Sequence, residues 1–377
     1  MKVFIITMQF PAPREIFANN DVLTLKKLGV DISVHSLRFS HKRKKVFEVQ
    51  RGIQDIDYTH NSICKTFIGF LTGLFKPKVF FTLFWFIFRF HIQSPGQLIK
   101  SCILAPRVIN IFNEFERKRP DVVHLYWAHY PSMLGYLVKK IYPDTTLTMS
   151  FVAYDLHMRF KGSIITANLA DVVFTIARME VSTLIKLGID PSKIQTVYHG
   201  MMPNYFKDDS PEKIKGRVVS VGAFVLGKNM IDVVNIFASV QNELPYISLV
   251  LVGDGPLKNK VEKQVKELKV NNVIFLGHSA HETVIKEMRK AEVFLFMSED
   301  ERLPNVIKEA MAAKCYCITT DTPGIDELIP NSDYGSIISV GNLHAAEESL
   351  KKAINSNGFR NDVAEKAFNY IKINFNV

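Results

Sequence analysis

A chain of 377 residues, 47% of them hydrophobic, is too long for one ordinary core and long enough for two domains that each bury their own. The formal net charge of +10 is unevenly placed: residues 1–205 hold 26 Lys and Arg against 14 Asp and Glu, and residues 206–377 hold 21 against 23. A basic half suits nucleic acid, anionic lipid or an acidic substrate, but no helix-turn-helix, zinc-finger or RNP pattern accompanies it, which sets nucleic acid aside.

In chain order, residues 2–8 read as a buried strand, since the apolar run is ended too soon by Gln9 and Pro11 to be a signal peptide. Residues 16–28 read as a helix stopped by Gly29, and 30–37 as a second strand, the βαβ opening of a doubly wound sheet. The turn QFPAPREIF has no glycine cluster, so a dinucleotide fingerprint is absent. HKRKK, residues 41–45, is expected in a loop. Two uncharged ten-residue runs follow, 66–75 and 79–88, separated by Lys76, Pro77 and Lys78. Neither reaches the ~20 residues that a bilayer needs. Phe80, Phe81, Phe84, Trp85, Phe86 and Phe88 leave little polar face, so the runs predict a helix pair at an anionic membrane surface; the other reading is a pair of core helices under the sheet.

Strands are expected at 121–127, 146–152, 170–176 and 194–200, with helices at 132–142 and 180–187 between them. Residues 203–216, with Pro211 and several charges, read as the linker. His124, His129 and His157 lie near one another in sequence, but single histidines are more often structural than catalytic. Strands recur at 217–222, 247–253, 273–277 and 292–297. Four cysteines, Cys64, Cys102, Cys315 and Cys317, form neither a disulfide framework nor a metal-ligand pattern, as expected of a reduced cytoplasmic protein.

The stretch 298–329 concentrates the chemistry. Glu301 and Glu309 are eight positions apart, with Pro304 suited to a first helical turn and a helix-favouring run at 306–313. Glu309 is then inside the helix and Glu301 in the loop before it, so both carboxylates face the helix start, which attracts phosphate. Residues 315–320 form a further strand, and Thr322, Pro323 and Gly324 a turn expected to open another helix. No P-loop, HExxH, GxSxG or metal-cage spacing occurs.

The string E-R-L-P-N-V-I-K-E-A-M-A, followed by T-D-T-P-G-I and D-E-L-I, resembles the signature of glycosyltransferase family four, whose usual form is E-G-F-P-N-x-x-x-E-A-M-A with a later G-G-x-x-E. F-V-A-Y-D-L resembles its F-H-A-Y-D-L, G-A-F-V-L-G-K-N its G-R-x-x-x-x-K-G, and V-G-D-G-P and F-L-G two further turns. The resemblance implies an α/β fold of two doubly wound Rossmann-like domains facing across a cleft (GT-B). Residues 1–205 would form the acceptor side and 206–359 the nucleotide-sugar side, with the helix at 360–377 able to cross back. It also implies a retaining transfer from a nucleotide-diphosphate sugar to a glycan or lipid-linked acceptor, with no metal or redox cofactor. Glu301 would lie by the donor sugar and Glu309 by the ribose. Lys228 and the loop Leu303, Pro304, Asn305 and Val306 would meet the diphosphate, with Gly277 on the donor side, and Asp155 matches the acceptor-side loop. The chain departs from the pattern at Arg14 for Ser, Val152 for His, Met202 for Asp, Ala223 for Arg, and Arg302 and Lys314 for Gly. These departures suit the alternative of a nucleotide- or glycan-binding homologue that partners an active transferase; an epimerase would share the fold without an acceptor. With the basic surplus, the expected location is the inner face of the membrane.

Overall fold

The computed structural model describes the chain except residues 13–15, 159, 207–210 and 377 and the side chains of residues 16, 17, 153 and 157, so Arg14 and the His157 side chain lie outside the described residues. Two compact units divide at Gly200 and Met201.

The first unit is built on seven parallel strands: β1 (Lys2–Thr7), β2 (Asp31–Phe39), β3 (Asp57–Asn61), β4 (Val122–Leu125), β5 (Thr146–Phe151), β6 (Val172–Thr175) and β7 (Ile194–Thr196), in the order β3-β2-β1-β4-β5-β6-β7. Five of the six residues of β1 are buried, as befits a central strand of a parallel sheet. The chain leaves leftward from β1 to β3 and returns to β4 on the other side of β1, so the strand order reverses between β1 and β4. The second unit has six parallel strands, β8 (Arg217–Val221), β9 (Ser248–Val252), β10 (Val273–Gly277), β11 (Val293–Phe296), β12 (Tyr316–Thr320) and β13 (Ser336–Ile338), in the order β10-β9-β8-β11-β12-β13. Its reversal falls between β8 and β11. β11 is buried at all four positions.

Between β3 and β4 stand three helices, Ile63–Leu74, Pro77–His91 and Pro95–Lys118. Ser62 caps the first by accepting from the Lys65 N–H at 3.1 Å, and Pro77 opens the second. The first two meet at 107°, and no single helix among the described residues is long and apolar enough to cross a membrane. The helix Ile63–Leu74 buries only Gly69 and Gly73. A Cβ on Gly69 would lie 1.8 Å from the Pro106 carbonyl oxygen, so glycine is what lets this helix reach Pro95–Lys118. Its large apolar residues point outward: Phe67 is 60% exposed, and Ile63, Phe70, Leu74 and Phe75 are exposed too. The aromatic row 80–88 is divided. Phe86 is fully buried with Leu83 and Ile87, Phe84 packs half-buried on the core, and Phe81, Trp85 and Phe88 are exposed. The segment therefore belongs wholly to neither of its two expected states.

Two local expectations are corrected. HKRKK is not all loop, because Lys44 and Lys45 begin the helix Lys44–Arg51. The turn at Thr322 to Gly324 opens only the short 3-10 segment Ile325–Glu327; Gly324 sits at φ 82° and Pro330 follows closely, leaving no room for a full helix. The last helix, Asn357–Asn374, packs within the second unit on Asn305–Ala312 and β12, with Lys314 paired to Glu365 at 2.9 Å. The Met201 N–H donates to the Phe375 carbonyl at 2.6 Å, tying the end of this unit to its beginning.

Candidate active site

The carboxyl ends of β8 and β11 flank the reversal of the second sheet, which is where doubly wound sheets bind ligands. The loops leaving these strands are stitched together. Ser298 Oγ and the Glu299 N–H donate to the Gly227 carbonyl at 3.0 and 2.8 Å, and Asn229 Nδ2 donates to Glu299 at 3.0 Å. Gly227 at φ 80° and Asn229 at φ 49° supply the left-handed backbone that this turn needs. Lys228 lies between them and forms an ion pair with Glu301. Burial pushes its ammonium below the ordinary lysine pKa, with the charge of Asp300 opposing. The G-D-G turn backs this loop: a Cβ on Gly253 would meet the Gly222 carbonyl at 1.8 Å, and the Gly253 N–H donates to the Gly277 carbonyl at 2.9 Å.

After Glu301 the chain turns sharply. Leu303 is left-handed at φ 50° with its side chain buried, a conformation that costs a leucine ~1–3 kcal/mol and is commonly found at functional loops. Pro304 then stands just before the helix as its cap residue rather than in its first turn, and the helix is Asn305–Ala312. Its first N–H groups, at Asn305 and Val306, have no carbonyl four residues earlier within the helix. Lys314, where the resembling family has glycine, is left-handed at φ 55°, which explains why glycine suits that position.

Glu309 does not stand alone. His281 Nε2 donates to its Oε1 at 2.9 Å, and the Tyr205 hydroxyl is 3.3 Å from the same nitrogen. The bond to Glu309 raises the His281 pKa, and burial, with the charge of Glu309, raises that of Tyr205, which stays a neutral phenol. Neither residue was marked in the sequence, where His281 is one histidine without spacing to any partner. Lys228 and Glu301 are thus brought together at the strand reversal, with Glu309 on the helix that follows and Gly277 behind the supporting turn.

Asp155 belongs to the first unit. It is buried after β5, accepts the Val152 N–H at 3.2 Å and pairs with His129 at 2.6 Å, a partnership that single-residue reading of the histidines missed. Val152 is buried. His124 lies within the sheet, bonded to Thr148 at 2.8 Å. Ala223 is exposed and brings no donor, and Met202 and Arg302 carry no carboxylate or glycine in their places. Groups of three or more His, Cys, Asp or Glu able to hold a metal do not occur among the described residues.

Two doubly wound parallel sheets, with the paired loops at the reversal of the second, define a GT-B-like α/β glycosyltransferase fold. The family described as glycosyl transferases group 1 matches residues 203–370, which is most of the second unit. The chain is 27% identical to N-acetyl-alpha-D-glucosaminyl L-malate synthase of Bacillus anthracis over 67% of its length and 70% of the relative's. It is 23% identical to the capsular polysaccharide biosynthesis glycosyltransferase CapM of Staphylococcus aureus over 74% and 72%. The crystal structure of Anabaena HepE in complex with UDP superposes with a TM-score of 0.71 over 100% of this chain and 96% of that one, at 16% identity, a likeness of fold. The chain is a glycosyltransferase.

Proposed function

We propose that this enzyme moves a sugar, with retention, from a nucleotide-diphosphate donor to a membrane-linked glycan or lipid acceptor in cell-surface polysaccharide or lipopolysaccharide assembly. The observation that carries the reading is the Lys228–Glu301 pair at the strand reversal, with Glu309 on the adjoining helix. In the transfer, the acceptor hydroxyl oxygen bonds to the anomeric carbon while the bond from that carbon to the diphosphate oxygen breaks. The diphosphate leaves with the electron pair, and the hydroxyl proton passes to the departing oxygen. Negative charge grows there, where Lys228 and the N–H groups of Asn305 and Val306 would meet it. In this reading no metal or redox cofactor takes part. Glu301 would face the donor sugar and Glu309 the ribose, with His281 holding one of its oxygens and leaving the other for a hydroxyl.

Membrane contact is part of the proposal. A helix that buries glycines and exposes Phe67, Phe70 and Leu74, beside Phe81, Trp85 and Phe88, presents an apolar surface. Lys42, Arg43, Lys44 and Lys45 stand in the same basic unit, giving the two signals of stable peripheral binding, from the inner face of the membrane. A donor-binding partner of an active transferase is the second reading, favoured by exposed Ala223 in place of the arginine half of the phosphate clamp. Titration of the purified chain with UDP-, GDP- and ADP-sugars, followed by nucleotide release with and without membrane extract, separates the two. Acceptor-dependent release is expected; tight donor binding without release would favour the partner.

A further inference from the structure

A cavity of about 480 Å³ opens in the second unit, at the end of the sheet away from the candidate active site. Tyr316 begins β12 and Ser336 begins β13, and both line it. At the far end of β12, Thr320 donates to the Ser298 carbonyl of the active-site loop. Four steps of a strand at ~3.3 Å each keep the two places ~13 Å apart, so one sugar ring cannot lie in both. The volume falls within the ~300–1,000 Å³ usual for small-molecule sites.

The walls come from β12, β13 and the helices Leu343–Asn355 and Asn357–Asn374. Tyr316 is buried with its hydroxyl 2.7 Å from Ser336 Oγ, and Ser349 Oγ donates to the same oxygen at 2.8 Å. Three hydroxyls bring three protons to two hydrogen bonds, so among the described residues one O–H is left to donate, while Ser349 keeps lone pairs that receive nothing. A ligand group that both donates and accepts satisfies such a row, and a hydroxyl does both. Charge on the walls is balanced. Lys366 pairs with Asp333 at 3.6 Å and with Asp362 at 2.8 Å, Lys351 pairs with Glu348 at 3.2 Å, and Lys352 Nζ lies 4.0 Å over the Phe359 ring. A charged ligand of either sign meets like charge there, whereas the paired carboxylates retain lone pairs for further hydroxyls. Phe359 and Val363 add an apolar wall that suits the C–H groups of a ring.

We propose that this cavity is a second carbohydrate site, which takes one or two rings of a neutral sugar and stands apart from the transfer chemistry. The hydroxyl row and the balanced charge select the ligand, whichever nucleotide the candidate active site takes.

The full chain, with isotope-labelled tyrosine, is titrated with methyl glucoside, methyl galactoside and N-acetylglucosamine, and with glucuronate and glucosamine as charged counterparts. The Tyr316 ring resonance is followed, assigned by its loss in Tyr316→Phe. At least one neutral sugar is expected to shift it at a Kd of ~1–10 mM, about 5-fold or more below both charged sugars. Ser349→Ala should weaken that sugar about 3- to 10-fold and leave UDP affinity unchanged. The disaccharide of the sugar that binds, if held more tightly than the single ring, names a glycan chain as the source; equal affinity names a free sugar. No movement of Tyr316 with any neutral sugar, a charged sugar bound as well as the neutral ones, or displacement of the sugar by excess UDP overturns the proposal, and since the first two comparisons use the unaltered chain they stand even where Ser349→Ala fails to fold. The reading of the candidate active site is judged separately, by UDP binding to Glu309→Ala.

Discussion

The helices Ile63–Leu74 and Asn305–Ala312 are both rich in apolar residues, yet they face opposite ways. Asn305–Ala312 buries Ile307, Ala310 and Met311 and leaves its start and Glu309 towards the site. Ile63–Leu74 buries two glycines and leaves its phenylalanines and leucines outside. Composition alone does not say which side of a helix is inside. Glycine permits close backbone approach, and close approach by the glycine face turns the large side chains away from the core. The first helix thus serves a surface, and the second a site.

The strongest way to break this contrast is Gly69→Ala. Its Cβ meets a backbone oxygen that cannot rotate aside, so the variant should lose ~1–3 kcal/mol or more in denaturant unfolding of the first unit. Gly96→Ala, where nothing lies within 4 Å, is the control. Equal stability of the two would mean that Ile63–Leu74 is not seated by its glycines.

On the other helix, Glu309→Ala should cost ~1.5–3 kcal/mol of affinity for a nucleoside diphosphate, seen by calorimetry, because a charge-assisted bond to ribose is lost. Glu301→Ala should mainly lower turnover, and Lys228→Ala should weaken the diphosphate more than the nucleoside. Unchanged binding in Glu309→Ala defeats the placement of ribose.

Next in size is membrane binding. Sedimentation with anionic liposomes should be weakened by salt but not abolished, since screening removes only the charge part. Replacing Lys42, Arg43, Lys44 and Lys45 by Ser should remove up to ~1 kcal/mol for each charge near the surface. Replacing Phe67, Trp85 and Phe88 by Ser should remove the salt-resistant part, and since these side chains are exposed the fold should be kept. Liposome binding untouched by both sets would leave the outward face to another partner.

The smallest effect concerns His281. Its pKa is raised in the folded chain, so the pair with Glu309 contributes fully below the unfolded value of 6.5 and is lost as pH rises through the raised folded value. The ring is 41% exposed, so screening keeps the contribution to ~0.2–1 kcal/mol. Melts of the second unit between about pH 6 and about pH 9 should show this small decline, and His281→Asn should lack it. A variant with the same pH dependence would place the titration elsewhere.

Strand positions were within reach of the sequence because parallel strands are short apolar runs, and 273–277 is β10 to the residue, although this edge strand has no fully buried residue. The meeting of Lys228 with Glu301 was not, since it depends on loops after two strands that are neighbours only in the sheet. Glu301 and Glu309 were legible as a spaced pair. His281, the partner of Glu309, and Tyr205, which meets His281, come from a helix start and a linker 76 residues apart, and no local pattern joins them. The aromatic row was legible in composition but not in orientation, because Phe86 and Phe88 differ by a turn of the helix face rather than by chemistry.

The Lys228–Glu301 pair has a consequence for turnover. On the proposed chemistry a phosphate at Lys228 competes with Glu301 for the one ammonium, leaving that carboxylate beside a new negative charge. An intact donor compensates Glu301 with sugar hydroxyls; the bare nucleoside diphosphate left after transfer offers none. On the proposed chemistry the product is therefore held less firmly than the substrate, and Glu301 returning to Lys228 helps to expel it.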